Sequence, residues 1–88
     1  MQTRYYCLCC GYDSMTEESG HYDICPICFW EDDPIQRDNP DEDNGANKVS
    51  LRQAQINFEE LGACEKEMIK NVIKPDNTYK RNPKWKII

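Results

Sequence analysis

Two short cysteine pairs are the residues of this sequence whose types and spacing can do chemistry. Cys7 and Cys10 are separated by two residues, as are Cys25 and Cys28, and fourteen residues lie between the pairs. Four-thiolate zinc sites have nearly this pattern, with about 15–20 residues between two C-x2-C pairs. Zinc takes four thiolates tetrahedrally at about 2.3 Å, and a two-residue gap lets one tight turn present both sulfurs. The sequence therefore predicts one structural Zn²⁺ on Cys7, Cys10, Cys25 and Cys28.

Three other uses of these thiols fit less well. Disulfides are disfavoured because Met1–Cys7 has no apolar segment typical of export signals, and thiols in the cytoplasm stay reduced. A thioredoxin-type redox pair needs a βαβ unit, which the pattern does not offer. Catalytic zinc keeps an open position and usually binds His or carboxylate. The only histidine, His21, lies near Cys25, but four cysteines leave it no vacancy, so we expect a closed site in a cytoplasmic protein.

Two cysteines remain outside this set. Cys9 lies inside the first pair, where its side chain should point away from a metal shared by Cys7 and Cys10. A register in which Cys9 replaces one of those two ligands stays open. Cys64 follows a predicted helix end, and we expect it to be a small buried apolar residue.

Length and composition indicate that the fold depends on more than its hydrophobic core. The chain has 88 residues and a mass of 10.4 kDa, with 39% hydrophobic and 31% charged residues. This is one domain, residues 1–88, with a thin core, and small domains of this kind usually depend on a metal, disulfides or a partner. No run approaches the roughly 20 apolar residues of a membrane-spanning helix, so we expect no membrane association.

Charge is divided unevenly along the chain. The formal net charge is −5, but residues 1–69 carry −10 and residues 70–88 carry +5. Four thiolates and one Zn²⁺ would bring the total to −7. An acidic body repels the phosphate backbone, which supplies most nucleic-acid affinity. We expect the basic tail to be solvated and to fold back on the acidic body.

Four stretches follow each other along the chain. Residues 1–30 are the cysteine-rich part, in which Arg4–Cys7 and His21–Cys25 are predicted to form a short β-hairpin. Residues 31–49 are acidic and rich in turn formers, which predicts a loop without helix or strand and with solvated carboxylates. Its acids do not match an EF-hand, because Gly45 falls one position early and Arg52 takes the twelfth position. Calcium binding by an irregular loop stays open.

Residues 50–73 are helical by pattern, and residues 74–88 form the basic tail. Ser50 and Gln53 make a capping box, and Gly62 is placed to end the first helix in a left-handed conformation. A second helix is predicted over 64–73, with Pro75 beyond it. The first helix should bury an apolar stripe at spacings of three and four, made by Leu51, Ala54, Phe58 and Leu61.

Several segments are similar to one known family. The sequence Cys7-Leu8-Cys9-Cys10-Gly11-Tyr12 resembles the Cys-Pro-Cys-Cys-Gly-Tyr signature of the small cysteine-rich CPCC proteins, with Leu8 in place of proline. The resemblance implies a zinc-ribbon-like module in a mainly bacterial family, and it implies no activity. Further similar segments are Ile24–Asp33, Gly45–Asn47, Val49–Leu51, Ala54, Asn57-Phe58, Gly62-Ala63 and Lys80–Trp85.

The predicted fold is a small α+β domain stapled by metal, with zinc-ribbon or rubredoxin-like knuckles, a short hairpin and one or two helices. The first functional hypothesis is a non-catalytic module that offers an acidic face to a protein partner. Its specific form is an immunity or antitoxin protein that neutralises a basic toxin, because opposite charge speeds association. The alternative is nucleic-acid binding through the tail. We expect no enzyme, since no nucleophile triad or phosphate-binding loop is present, and Cys9 is the one candidate reactive thiol.

Overall fold

Turns and loops make up most of this chain, and the helical segments are short. The computed structural model describes residues 3–88, which span 35 × 24 × 23 Å. In chain order, α1 is Pro34–Asp38, α2 is Leu51–Leu61, and a 3₁₀ helix is Lys66–Asn71. None of the helices in residues 3–88 has the length and apolar character needed to cross a membrane.

Within residues 3–88, extended pairing is limited to three isolated antiparallel bridges, so the predicted hairpin of Arg4–Cys7 with His21–Cys25 is wrong. Each of these segments pairs with the residues that follow its own cysteines, because closing a four-residue turn brings its two flanks together. A third bridge brings the tail to the first cysteine segment. The bridges are Tyr5–Met15, Ile24–Glu31 and Tyr12–Arg81.

Helix α1 lies inside the stretch that was predicted to have no helix. Asp33 is its N-cap, and the Asp33 carboxylate accepts a hydrogen bond from the N–H of Ile35 at 2.8 Å. Pro34 occupies the first turn, where a missing N–H costs nothing. The Asp-Pro pair is therefore a helix start, although the density of turn formers around it favoured a loop.

The same stretch contains a buried polar network, so the prediction of solvated acids is wrong for two of them, whereas Asp38, Asp41, Glu42 and Asp43 are exposed as predicted. Asp32 and Asp33 are buried, and Gln36 is completely buried. The Gln36 amide donates to the carbonyls of Asn47 and Val49 at 3.1 Å and accepts from the Asn47 side chain at 2.8 Å. These bonds hold residues 31–49 together from within, and the Asp32 carboxylate joins the stretch to the preceding segment by accepting from the N–H of Gly20 at 3.0 Å.

Helix α2 begins and ends where the sequence predicts. The Ser50 hydroxyl accepts from the N–H of Gln53 at 3.1 Å, and Gly62 ends the helix with φ 77°. The Gln53 side chain bonds Asn57 instead of returning to Ser50, so only half of the capping box forms. Leu51 and Ala54 are buried and Phe58 is half-buried, whereas Leu61 is 42% exposed, so the predicted stripe stops one turn early.

The predicted helix over 64–73 is shorter and tighter than expected. Only Lys66–Asn71 is helical, with 3₁₀ geometry, and Ile69 and Ile73 are about half exposed. Val72 is extended, and the Ile73 N–H bonds the carbonyl of Pro26 at 3.0 Å. This tertiary hydrogen bond takes the backbone out of the helix before Pro75 is reached.

The core is centred on sulfur. All six cysteines are buried, and the largest fully buried side chain is Trp30. A core this small explains why the described chain has so little regular secondary structure. The other buried apolar side chains are Met15, Ile27, Leu51, Ala54 and Ala63.

Candidate metal centre

Four thiols meet at the centre of the domain. The sulfurs of Cys7, Cys10, Cys25 and Cys28 all lie within 4.8 Å of one another. The Cys7 and Cys28 sulfurs are 3.6 Å apart, and those of Cys10 and Cys25 are 3.7 Å apart. A disulfide bond measures about 2.05 Å, so these are free thiols placed as a group. The four cysteines are positioned to hold one metal ion.

Two loops of the same construction supply these sulfurs, and we name them the first cysteine loop (7–12) and the second cysteine loop (25–30). In each loop the first cysteine N–H bonds the carbonyl five residues later, at 2.8 Å in the first and 3.0 Å in the second. The residue after the second cysteine then bonds back to the first cysteine carbonyl at 2.8 Å in both. Both bonds close the turn, so each C-x2-C pair points its two sulfurs the same way.

The residue after the second cysteine has a positive φ in both loops. Gly11 has φ 83° and Phe29 has φ 67°. Glycine adopts this conformation freely, whereas for phenylalanine it costs about 1–2 kcal/mol. A Cβ at Gly11 would also lie 2.6 Å from Cγ of Trp85. The first cysteine loop therefore requires glycine here, and the second carries a strained aromatic residue.

The Cys25 sulfur receives more hydrogen bonds than the other three. The Ser14 hydroxyl lies 2.9 Å from it, and the Ile27 N–H lies 3.3 Å from it. Hydrogen bonds from Cys10, Cys28, Cys7 and Ser14 lower the pKa of Cys25. Burial raises the pKa of Cys7 and that of Cys28. A bound dication would favour the thiolate form of all four cysteines.

Side chains from the tail cover the first cysteine loop. The Arg81 Nε donates to the Cys10 carbonyl at 2.9 Å, and the Trp85 Nε1 lies 3.2 Å from the carbonyls of Leu8 and Cys9. The Arg81 guanidinium stacks 4.1 Å from the centre of the Trp85 ring and forms an ion pair with Glu59. The tail folds back as expected, but it packs on the cysteine loop instead of remaining solvated.

Backbone groups from the segment after α2 cover the second cysteine loop. The Cys64 N–H donates to the Cys28 carbonyl at 2.8 Å, and the Ile73 N–H donates to the Pro26 carbonyl. These two carbonyls correspond to those of Cys10 and Leu8 in the first loop. Equivalent acceptors are therefore satisfied in both loops, by different kinds of donor.

The remaining candidate residues lie outside the cluster. Cys9 is fully buried, and burial raises its pKa, but it is not among the four grouped sulfurs. Cys64 is buried, and burial raises its pKa to about 12, which makes it a poor nucleophile. His21 is exposed and bonds the Glu18 carbonyl. Within residues 3–88 no second group of three or more His, Cys, Asp or Glu side chains is arranged for a metal, and this includes the acidic stretch.

The sequence interpretation missed Ser14, Gln55, Arg81 and Trp85 as supports of the cluster. Gln55 is buried and bonds the Leu8 carbonyl at 2.9 Å. Nothing in the local sequence marks Ser14 or Gln55. Arg81 and Trp85 were noticed only as part of a resemblance, and an Arg and a Trp in one basic, proline-containing segment were the available signal.

The chain was compared with known proteins and families. No curated protein matches it. A family model described as cysteine-rich CPCC matches residues 5–78, which include both cysteine loops, α2 and the 3₁₀ helix. The matched range ends before Arg81 and Trp85. Because the match covers well over half of the sequence and contains the four-thiol cluster, this chain belongs to the cysteine-rich CPCC family.

Proposed function

We propose that the four thiols bind one Zn²⁺ that holds the domain together, and that the protein acts by binding another protein. The observation that carries the metal proposal is the sulfur geometry. A tetrahedral ion with Zn–S bonds of about 2.3 Å sets its ligands about 3.8 Å apart. Two of the six sulfur pairs are 3.6 and 3.7 Å apart, close to that value, and all four sulfurs lie within 4.8 Å of one another.

Burial supports a structural role for this ion. Each of the four cysteines is at most 2% exposed, and four protein ligands complete a tetrahedral shell. Catalytic zinc keeps one position for water or substrate, which this donor set does not leave. Four soft thiolates suit zinc or iron, and a colourless protein with one bound ion would distinguish zinc from iron.

Native mass spectrometry and chelation test the metal proposal. One zinc per chain is expected, and a strong chelator should unfold the domain, because metal binding and folding share one free energy. Far-ultraviolet circular dichroism follows the unfolding, and re-addition of Zn²⁺ should reverse it. A metal-free chain with the same spectrum and the same unfolding midpoint would refute the proposal.

The acidic surface supports a protein partner of opposite charge. Exposed carboxylates remain after the ion pairs of Arg37 and Arg52 are counted, and bound zinc would raise the formal negative charge to −7. Opposite charge accelerates association and selects the partner, and it disfavours nucleic acid. An affinity purification from native cells at low and high salt tests this role. A specific partner lost at high salt is expected, and its absence at low salt would refute the role. Among the exposed acids are Glu17, Glu18, Glu42, Asp43 and Glu60.

A further inference from the structure

A small cavity lies beside the second cysteine loop and away from the four sulfurs. Its volume is about 130 Å³, well under the roughly 300 Å³ at which small-molecule sites begin, and comparable to one amino-acid side chain. The cavity has apolar walls and charged side chains. Among its lining residues are Ile24, Phe29, Glu31, Lys48, Glu65 and Met68.

Glu65 is the unusual member of this lining. Glu65 is only 8% exposed, and across residues 3–88 its carboxylate has no hydrogen bond or ion pair. Glu65 precedes the 3₁₀ helix as its N-cap residue, yet it makes no side-chain capping bond. The residue is largely buried while its carboxylate has no partner within its own described chain, so the carboxylate is available to a cation or a donor from outside.

The lysine that lines the cavity is paired elsewhere. The Lys48 ammonium lies 3.2 Å from the Glu67 carboxylate, and its side chain is 76% exposed. The Glu31 backbone is held by the Asn47 side chain, but the Glu31 carboxylate also has no partner in the described part of the chain. The cavity therefore combines two uncompensated carboxylates.

The apolar walls suit the stem of a long cationic side chain. Lysine and arginine pack their methylene groups on apolar surface and keep the charged head at polar groups. Ile24 and Met68 offer such a surface, and the Phe29 ring can attract a cation by its face. Phe29 is also the residue held at positive φ where the first loop has Gly11, so an aromatic side chain is present despite its backbone cost.

We propose that this cavity receives a lysine or arginine side chain from a basic segment of a partner protein. The cationic head would pair with Glu65 and Glu31 while its stem packs on Phe29 and Met68. This inference rests on the proposed protein-binding role and gives that role a site and a partner chemistry. A second metal ion is not the occupant, because Glu31, Cys64 and Glu65 of the cavity do not form a group that could hold one, and no histidine lines it.

The test uses the zinc-loaded full chain and three short blocked peptides, Ac-Ser-Lys-Ser-NH2, Ac-Ser-Arg-Ser-NH2 and the norleucine analogue, which lacks the charge. Titration followed by ¹H–¹⁵N NMR should shift the amides of Ile24, Phe29, Glu65 and Met68 with a cationic peptide. Glu65→Gln should weaken this binding at least tenfold, the size expected for loss of a charge-assisted hydrogen bond. Glu60→Gln removes the same charge from an exposed site and should leave the binding unchanged.

Three results would overturn the proposal. They are equal binding of the norleucine and lysine peptides, equal weakening by both glutamine variants, and no shift with either cationic peptide. Unfolding gives an independent readout, since Glu65 has no partner within residues 3–88 and Glu65→Gln should not lower the midpoint of the free protein. A lowered midpoint would show that Glu65 stabilises the fold and would refute the inference.

The design separates this inference from the proposed function. A cellular partner that binds Glu65→Gln as tightly as the natural chain would refute the cavity and leave the protein-binding role standing. Zinc content is measured by native mass spectrometry on the same samples. Lysine-peptide binding by a chain without metal would support the cavity and refute the zinc proposal.

Discussion

The two cysteine loops present their thiols in the same way and are supported in different ways. Each closes with the same two backbone hydrogen bonds and a positive φ after its second cysteine. The second loop is covered by backbone N–H groups from the segment after α2. The first is covered by side chains of Arg81 and Trp85, more than seventy residues away in sequence. Sulfur geometry therefore depends on local turns, whereas the stability of each loop depends on what packs over it.

The largest expected effect is the same for both cysteine loops. Cys7→Ser with Cys10→Ser, or Cys25→Ser with Cys28→Ser, should abolish zinc binding and unfold the chain. Zinc binding to small domains is worth about 10–16 kcal/mol, as much as the total stability of a typical domain. Circular dichroism and native mass spectrometry measure both losses. Cys64→Ala is the matched control that should keep the metal, and a folded, zinc-loaded double variant of either loop would contradict the four-thiolate site.

Removing the tail contact should affect the first cysteine loop more than the second. Trp85→Ala should lower the free energy of unfolding by about 2–3 kcal/mol, less than for a fully buried tryptophan because this one is half-buried. The Gly11 amide should exchange hydrogen faster, with a smaller change at the Phe29 amide. Trp85→Phe, which keeps most of the ring, should cost less. Equal acceleration at both amides would show that the tail stabilises the domain as a whole.

A substitution at the residue after the second cysteine tests the same asymmetry from inside each loop. Gly11→Ala should cost about 2–4 kcal/mol, because it combines a positive φ with a Cβ 2.6 Å from the Trp85 ring. Phe29→Gly should stay within about 1 kcal/mol of the natural chain, since lost packing offsets relieved strain. Denaturant unfolding at fixed zinc measures both. Similar costs at the two positions would refute the assigned strain.

Cys64, whose backbone N–H covers the second cysteine loop, should make the stability of the domain sensitive to alkaline pH. Burial raises the pKa of Cys64 from 9.0 to about 12, so its folded state holds the proton more tightly than its unfolded state. This stabilisation is complete below pH 9 and is lost between pH 9 and 12, by about 1–2 kcal/mol at pH 10.5. Cys64→Ala should lose less of its free energy of unfolding between pH 9 and 12 than the natural chain does. Parallel stability curves for the two proteins would contradict this assignment.

The smallest effect concerns one hydrogen bond to one sulfur. Ser14→Ala removes the hydroxyl 2.9 Å from the Cys25 sulfur and should weaken zinc affinity about tenfold. Competition with a chromophoric chelator measures the affinity. Thr16→Ala, which removes an exposed hydroxyl bonded to Asp23, is the control and should leave affinity unchanged. An unchanged affinity in Ser14→Ala would show that the backbone N–H of Ile27 is sufficient for this sulfur.

Local patterns predicted the features whose causes are local. The four thiols were identified from spacing, and α2 from Ser50 to Gly62 from its cap residues, because a turn or a helix end depends on a few neighbouring residues. The prediction of the hairpin was wrong because strand pairing depends on which flanking segments the closed turns bring together. The Asp33-Pro34 helix start was visible in the sequence, but it was outweighed by the surrounding turn formers.

Features that depend on distant residues were not predictable in this way. Burial of Asp33 is compensated by backbone N–H groups of Ala46, Ile35 and Gln36, which hold its pKa below the ordinary value despite desolvation. Composition can suggest only a solvated acid. Leu61 fits an apolar stripe by spacing, yet the core is too small to reach the last turn of α2.

The sequence alone determined that this protein would have four thiols in two tight turns, a capped helix and a thin core. Spacing, cap residues and composition are sufficient for that, because they act over a few bonds or over the whole chain. Only the tertiary structure decided that a distant tail closes the first loop and that Glu65 lies largely buried with no partner among residues 3–88. Those facts depend on which side chains and backbone groups meet after folding, and burial is a property of that arrangement.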